Sequence, residues 1–192
     1  MTYSDPASKP VPPGHAIHRD VVAGRWVGFV WAAAIVAADR VSKLYIRSTI
    51  SPYDSVSVVP GWFRIVHTEN PGAAFGVFAD GDPRLRTVLL VGVAVIVLCV
   101  VTAALWNRRR PQASRLTRFG LALILGGAAG NLFDRVARGT VTDFLELYRG
   151  GWSFPAFNVA DSAITVGSVL LMFDLLWPPK KQTAPPGNPP QI

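Results

Sequence analysis

Cysteine is almost absent from this chain: Cys99 is the only one in 192 residues. That excludes an internal disulfide and a cysteine-rich metal site, and its place within an apolar run reads as a small buried hydrophobe. Histidine is scarce as well. His15 and His18 sit in a Pro-rich N-terminal stretch, His67 stands alone, and no H-E-x-x-H occurs, so a zinc hydrolase is not expected and no metal or cofactor is assigned. Neither a G-x-S-x-G elbow nor a Ser-Lys pair stands out. Charge is thin at 16% of residues, against 50% hydrophobic, and mean hydropathy is positive. Lysine is confined to Lys9, Lys43, Lys180 and Lys181, so arginine supplies most of the 19 bases that outweigh 12 acids to give +7. The arginines lack aromatic interleaving or a recognition-helix pattern, which argues against a nucleic-acid partner. They cluster beside apolar segments instead, as in membrane topology.

The fold class this predicts is a mainly α, polytopic membrane protein with four transmembrane helices. They run from about Trp26 to Tyr45, Leu85 to Trp106, Leu116 to Phe133 and Val159 to Trp177, each near the roughly 20 residues that cross about 30 Å of hydrocarbon. Residues 1–24 and 178–192, rich in proline, read as disordered cytoplasmic tails around a four-helix membrane domain at 25–177. Arg108, Arg109, Arg110 and Arg115 between the second and third spans mark that loop as cytoplasmic. Arg19, Arg25, Lys180 and Lys181 agree, so both termini are cytoplasmic and Asp134, Asp143 and Asp161 fall at the outer face. The first span also resembles a cleavable signal peptide ending near Ala38; the three spans downstream favour an uncleaved helix.

The outer segment from Arg47 to Arg86, with its platform at about 47–84, balances Arg47, Arg64, Arg84 and Arg86 against Asp54, Glu69, Asp80 and Asp82. Ser55-Val-Ser-Val-Val59 and Trp62-Phe-Arg-Ile-Val-His67, β-branched and aromatic around Pro60-Gly61, predict a small extracytoplasmic β-hairpin platform. Trp62, Phe63, Phe75 and Phe78 suit a membrane interface. Asn70-Pro-Gly-Ala-Ala-Phe-Gly76 suits a tight backbone path beside something bulky.

Three aspartates carry the chemistry. Asn131-Leu-Phe-Asp134 ends one apolar segment, Asn158-Val-Ala-Asp161 opens the next, and Asp143 lies in the expected loop between them. A carboxylate at the edge of hydrocarbon is costly, and so is a functional-site candidate. Helix capping explains Asn158 with Asp161; it does not explain two such motifs at one face with a third acid between. Asp134 precedes Arg135, and a carboxylate paired with a guanidinium is a poor proton shuttle. The pair suited to acid/base work is Asp143 with Asp161, and Glu146 is expected to be solvated. Two carboxylates sharing one proton hydrolyse a peptide bond: one activates water, the other polarises the carbonyl and protonates the leaving amine.

Taken in order and spacing, Asp39-Arg-Val-Ser-Lys43, Asn70-Pro-Gly-Ala-Ala-Phe-Gly76, Gly127-Ala-Ala-Gly-Asn131-Leu-Phe-Asp134-Arg135, Val141-Thr-Asp143-Phe144 and Phe157-Asn158-Val-Ala-Asp161-Ser162 resemble the lipoprotein signal peptidases (signal peptidase II). The resemblance spans about Trp26 to Trp177. It implies a multi-pass aspartyl endopeptidase of the bacterial inner membrane that cleaves diacylglyceryl-modified prolipoproteins just before the lipidated cysteine. Membrane lipid and globomycin-type inhibitors are the further partners it implies. The catalytic aspartates carry over to Asp143 and Asp161, with Asn70, Asn131, Arg135 and Asn158 as pocket and support residues. Asp39, Lys43 and Asp134 carry over as structural polar partners. Arg40 and Thr142 depart from the family pattern, which more often has a neutral polar residue and valine. The alternative is a small proton-coupled transporter, in which Asp174 would extend a relay of acids across the bilayer.

Overall fold

The computed structural model describes residues 14–72, 82–106 and 114–177, with side chains from Trp26 onward. The elements in chain order are α1 (Gly14–Thr49), β1 (Ser55–Val59), β2 (Phe63–Asn70), α2 (Pro83–Trp106), α3 (Arg115–Arg138), β3 (Val141–Arg149), β4 (Trp152–Ser153) and α4 (Val159–Leu176). The helices fall on the apolar runs. α1 is longer than its apolar run because no proline interrupts the chain after Pro13. Residues 14–24, expected in a disordered tail, are therefore helical backbone. Residues 1–13 and 178–192, Phe75, Phe78 and the Arg108–Arg110 cluster lie outside the described residues.

Helices α2, α3 and α4 are each long and apolar enough to cross a membrane. In α1 the apolar run ends at Ala38, and Asp39, Arg40, Lys43 and Arg47 occupy the following turns. α3 is the hub, packed against α4, α1 and α2. Glycine makes that possible: a Cβ on Gly127 would stand 2.4 Å from the Ala160 carbonyl oxygen, and one on Gly126 would stand 2.7 Å from that of Ala32. Small residues at crossings let helix backbones approach where lipid gives no hydrophobic push between them. Ser114 caps the start of α3 by accepting from the Thr117 amide, and Gly139 ends it at φ 76°.

Beside an apolar cluster of Ala32, Val101, Leu105 and Leu125, the bundle buries a group of polar side chains, while its outer surface is apolar. Its largest fully buried side chains are Lys43, Asn158, Thr142, Asp39 and Asp134. Val93, Ile96 and Val100 of α2, and Val169, Met172 and Leu175 of α4, are exposed. Cys99 is exposed among them, contrary to the buried position expected for it. In a membrane-embedded helix an apolar thiol gains nothing by burial, since lipid is as apolar as a core.

The buried charges form one network. The Lys43 Nζ lies 2.8 Å from Asp39 Oδ2 and 2.8 Å from Asp134 Oδ2, and donates to Asn131 Oδ1 at 3.1 Å. Asp134 Oδ1 accepts from Arg40, and from Arg47 Nη2 at 3.4 Å. Asp39 Oδ1 accepts from the Ala160 amide at 3.0 Å, in the first turn of α4. Three helices are thus tied through one ammonium and two carboxylates. The ion-pair partners of Asp134 are these residues of α1 and not Arg135, because adjacent helical residues point to different faces.

Outside the bundle, one four-stranded sheet runs in the order β1-β2-β3-β4. The expected hairpin is present as β1 and β2, turning at Gly61 with φ 79°. β3 corrects two expectations. Asp143 is not in a loop but in a strand antiparallel to β2, with Thr68 opposite it and Glu69 opposite Thr142. Glu146 is not solvated but stands across from Arg64 and pairs with it. Trp62 stays exposed, with the Arg149 guanidinium 4.0 Å from its ring centroid.

Two outcomes follow for stability in detergent. Gly127→Ala should lower the melting temperature by an amount equivalent to about 1–3 kcal/mol of overpacking, whereas Gly92→Ala, with open space around its Cβ, should leave it unchanged. Equal melting temperatures for both variants would contradict the close α3–α4 crossing. Asp134→Asn should cost about 3–5 kcal/mol, because it strands buried cations; a variant that melts like the parent while losing activity would refute the structural role.

Candidate active site

The sheet and the bundle meet where β3 leaves α3 and where α4 begins. α4 opens with a capping box: Asn158 Oδ1 accepts from the Asp161 amide at 3.0 Å, and Asp161 Oδ2 accepts from the Asn158 amide at 3.2 Å. Capping is therefore real, and it fixes the orientation of the Asn158 amide. With Oδ1 turned to the helix, Nδ2 faces β3, where it donates to Asp143 Oδ1 at 2.7 Å. One asparagine thus holds both aspartates.

Each carboxylate has a second amide. Asn70, at the end of β2, donates from Nδ2 to Asp143 Oδ2 at 3.0 Å, and its own Oδ1 accepts from the Gly72 amide at 2.9 Å. Asn131, on α3, donates from Nδ2 to Asp161 Oδ1 at 2.7 Å. Because Lys43 faces the Asn131 oxygen, the amide has only one sensible orientation, with nitrogen toward Asp161. Neutral amides position the acids without adding a charge that would decide where a proton resides. Burial, together with the negative charge of Asp161, pushes the Asp143 carboxyl up to about 7 against the pull of Asn70, Asn158 and Lys43.

A cavity of about 1220 Å³ opens beside the pair, lined by Asp143, Asp161, Arg135 and Asn70 and walled by apolar groups such as Phe157 and Ile164. Arg135 is half-buried there, with Nη1 3.4 Å from the Asn131 carbonyl oxygen, and it feels the charges of both aspartates. The structure therefore brings Asp143, Asp161, Asn70 and Arg135 to one pocket, with Asn131 and Asn158 buried behind the two aspartates, Lys43 behind Asn131 and Asp39 behind the start of α4. Asp134 stays in the charge network of α1. Among the described residues no group of histidine, cysteine or acidic side chains is arranged to hold a metal ion.

Sequence reading missed Glu69 and Arg47, and took Thr142 only as a departure. The Thr142 hydroxyl accepts from Arg47 Nε at 2.7 Å and donates to Glu69 Oε1 at 2.7 Å, and Thr140 donates to Glu69 Oε2 at 2.6 Å. Burial alone would raise the Glu69 carboxyl, but the Thr140 and Thr142 hydrogen bonds and the Arg47 charge hold it below the usual range. The alternation in Val141-Thr-Asp-Phe-Leu-Glu-Leu-Tyr148 was the available signal for a strand that would turn Thr142 away from Asp143.

Comparison with known proteins gives a consistent result. The family model described as signal peptidase (SPase) II matches residues 31–177. A lipoprotein signal peptidase of Solibacter usitatus is 49% identical over 160 residues, covering 83% of this chain and 96% of that protein. One from Desulforapulum autotrophicum is 41% identical over 144 residues, covering 74% and 87%. A solved bacterial membrane enzyme superposes with a TM-score of 0.71 at 28% identity, covering 83% of this chain and 94% of its own. With the family model running from within α1 through the sheet to the end of α4, and with relatives matched over most of their length, the chain belongs to the signal peptidase II family of membrane peptidases.

Proposed function

We propose that this protein is a membrane-embedded aspartic endopeptidase that removes the signal peptide from diacylglyceryl-modified prolipoproteins, cutting before the lipidated cysteine. The observation that carries the reading is Asn158, one residue bonded to two carboxylates beside a largely apolar pocket. Asp143 and Asp161 are the catalytic pair, and Asn70, Asn131, Asn158 and Arg135 position them or the substrate. Asp161 lies in the first turn of α4, where the helix dipole favours negative charge. It takes the proton of the attacking water. Asp143, protonated at neutral pH and below, donates a hydrogen bond to the scissile carbonyl and then a proton to the leaving amine.

The substrate class follows from the surroundings. A prolipoprotein keeps its acyl chains in the bilayer and its scissile bond at the interface. The pocket has apolar walls beside the pair, and α2 and α4 turn apolar side chains outward. We read α1 as a fourth span, with Trp26, Val30 and Trp31 toward lipid, and both termini in the cytoplasm. The sheet then lies outside, at the outer face of a bacterial inner membrane, and globomycin-type cyclic peptides would compete for the same pocket. The carrier alternative needs Asp174 in a relay, but its carboxylate is bound by Thr117 of α3 at the far end of the bundle.

Purified protein should cleave a diacylglyceryl-modified prolipoprotein and spare its unlipidated form. Asp143→Asn and Asp161→Asn should each stay folded and lose about a thousandfold or more in kcat; appreciable turnover by either would remove that residue from the pair. Activity should fall as pH rises through about 7, when the Asp143 proton is lost. Because the Asn70 hydrogen bond favours the ionised carboxylate, Asn70→Ala should move that alkaline limb to higher pH. An unmoved limb would place the titration elsewhere.

A further inference from the structure

We propose that Thr142 and Glu69 are positioning residues for Asp143, joined with Arg47 of α1 in a brace that fixes the height of β3 against the first turn of α4. This rests on Asp143 and Asp161 being the catalytic pair.

Thr142 and Asp143 are consecutive in β3, so their side chains leave on opposite faces of the strand. The Asp143 side meets only amides, Asn70 and Asn158. Two side-chain amide bonds orient the carboxylate but do not by themselves fix the strand along its axis, and a slip stretches the longer of them, that of Asn70 at 3.0 Å against 2.7 Å for Asn158. The Thr142 side is different. Its hydroxyl is saturated, accepting from Arg47 and donating to Glu69, and it is fully buried. Glu69 stands directly across the ladder from Thr142 and receives a second hydroxyl, that of Thr140. Both threonines flanking Val141 are thereby bound to one carboxylate, so a slip of β3 against β2 breaks two hydrogen bonds at once.

Arg47 makes the brace reach the bundle. Its Nε lies 3.7 Å from Glu69 Oε1 and its Nη2 lies 3.4 Å from Asp134 Oδ1, in the network around Lys43. His67 closes the other flank, with Nδ1 2.7 Å from the Ile50 carbonyl oxygen and Nε2 3.4 Å from Glu69 Oε1. β3 is thus referred to α1 through Arg47, while α4 is referred to α1 through Asp39 and the Ala160 amide. The two halves of the pair are carried by separate elements that share one reference helix. A misplacement of the order of 1 Å at a reacting group costs up to about a hundredfold in rate, so the brace acts on kcat.

Thr142→Val keeps the shape and removes the hydroxyl; Thr142→Ser keeps the hydroxyl. On a lipidated prolipoprotein, Thr142→Val should lose on the order of tenfold in kcat with KM unchanged, and Thr142→Ser should restore the parental rate. Glu69→Gln should lower kcat in the same way and add little when combined with Thr142→Val. The ionisable groups around Asp143 among the described residues are Asp161 of α4, Lys43 of α1, Arg135 of α3, Glu69 of β2 and, on the pocket wall, Arg86 of α2. All stay in place in Thr142→Val, and the Asn70 bond is what a slipped strand loses first. The Asp143 carboxyl band in an infrared titration, identified by its absence in Asp143→Asn, should therefore shift to higher pH in Thr142→Val and not in Thr142→Ser. Parental kcat and an unmoved band in Thr142→Val would overturn the brace while leaving the peptidase reading intact. If the wild-type protein cleaves nothing, the peptidase reading fails, and the infrared titration alone still decides whether the brace holds Asp143.

Discussion

A single ammonium group, Lys43 Nζ, has to be satisfied inside a bundle whose outer surface is hydrocarbon. An unpaired cation there costs several kcal/mol, so its partners are obligatory. Asp39 and Asp134 supply the charge and Asn131 the third acceptor. Each of those has a further bond to make. Asp39 reaches the Ala160 amide at the start of α4, Asp134 gathers Arg40 and Arg47, and Asn131 turns its nitrogen to Asp161. Helix positions, the orientation of an amide and the setting of a carboxylate therefore all descend from satisfying one charge.

The same network keeps Lys43 paired with Asp39 and Asp134, so the hydrogen bonds that reach Asp143 come from neutral amides. The cations of this site face Asp134 and Glu69, and the groups in contact with Asp143 are amides. Burial then raises Asp143 toward neutrality. Arg135 stands in the pocket wall with its guanidinium beside the Asn131 carbonyl, and among the described residues no ion pair joins it to Asp143 or Asp161.

Much of this was legible in the residues themselves. The apolar runs give three spans outright and α1 in part, and the expense of Asp143 and Asp161 beside hydrocarbon marks them before any partner is known. Five motifs in register supplied the family. Less visible was what depends on contacts between elements distant in the chain. Asp134 looks paired to Arg135 in sequence and is paired across helices to Arg40, Lys43 and Arg47. β3 was read as a loop because its nine residues are short and Asp143 and Glu146 dilute its apolar alternation. Glu69 carries no local sign of its role, which needs Thr140, Thr142 and Arg47 around it.

Asn158 leaves one more consequence. The bonds that start α4 and the bonds that hold Asp143 and Asp161 belong to the same side chain and backbone amide. On the proposed reading, the two acids are not brought together until that helix has formed its first turn against α3 and β3. Among the four helices it is also the one synthesised last. A chain made only as far as β3 therefore holds one of the two aspartates of the proposed pair, and the second arrives with α4.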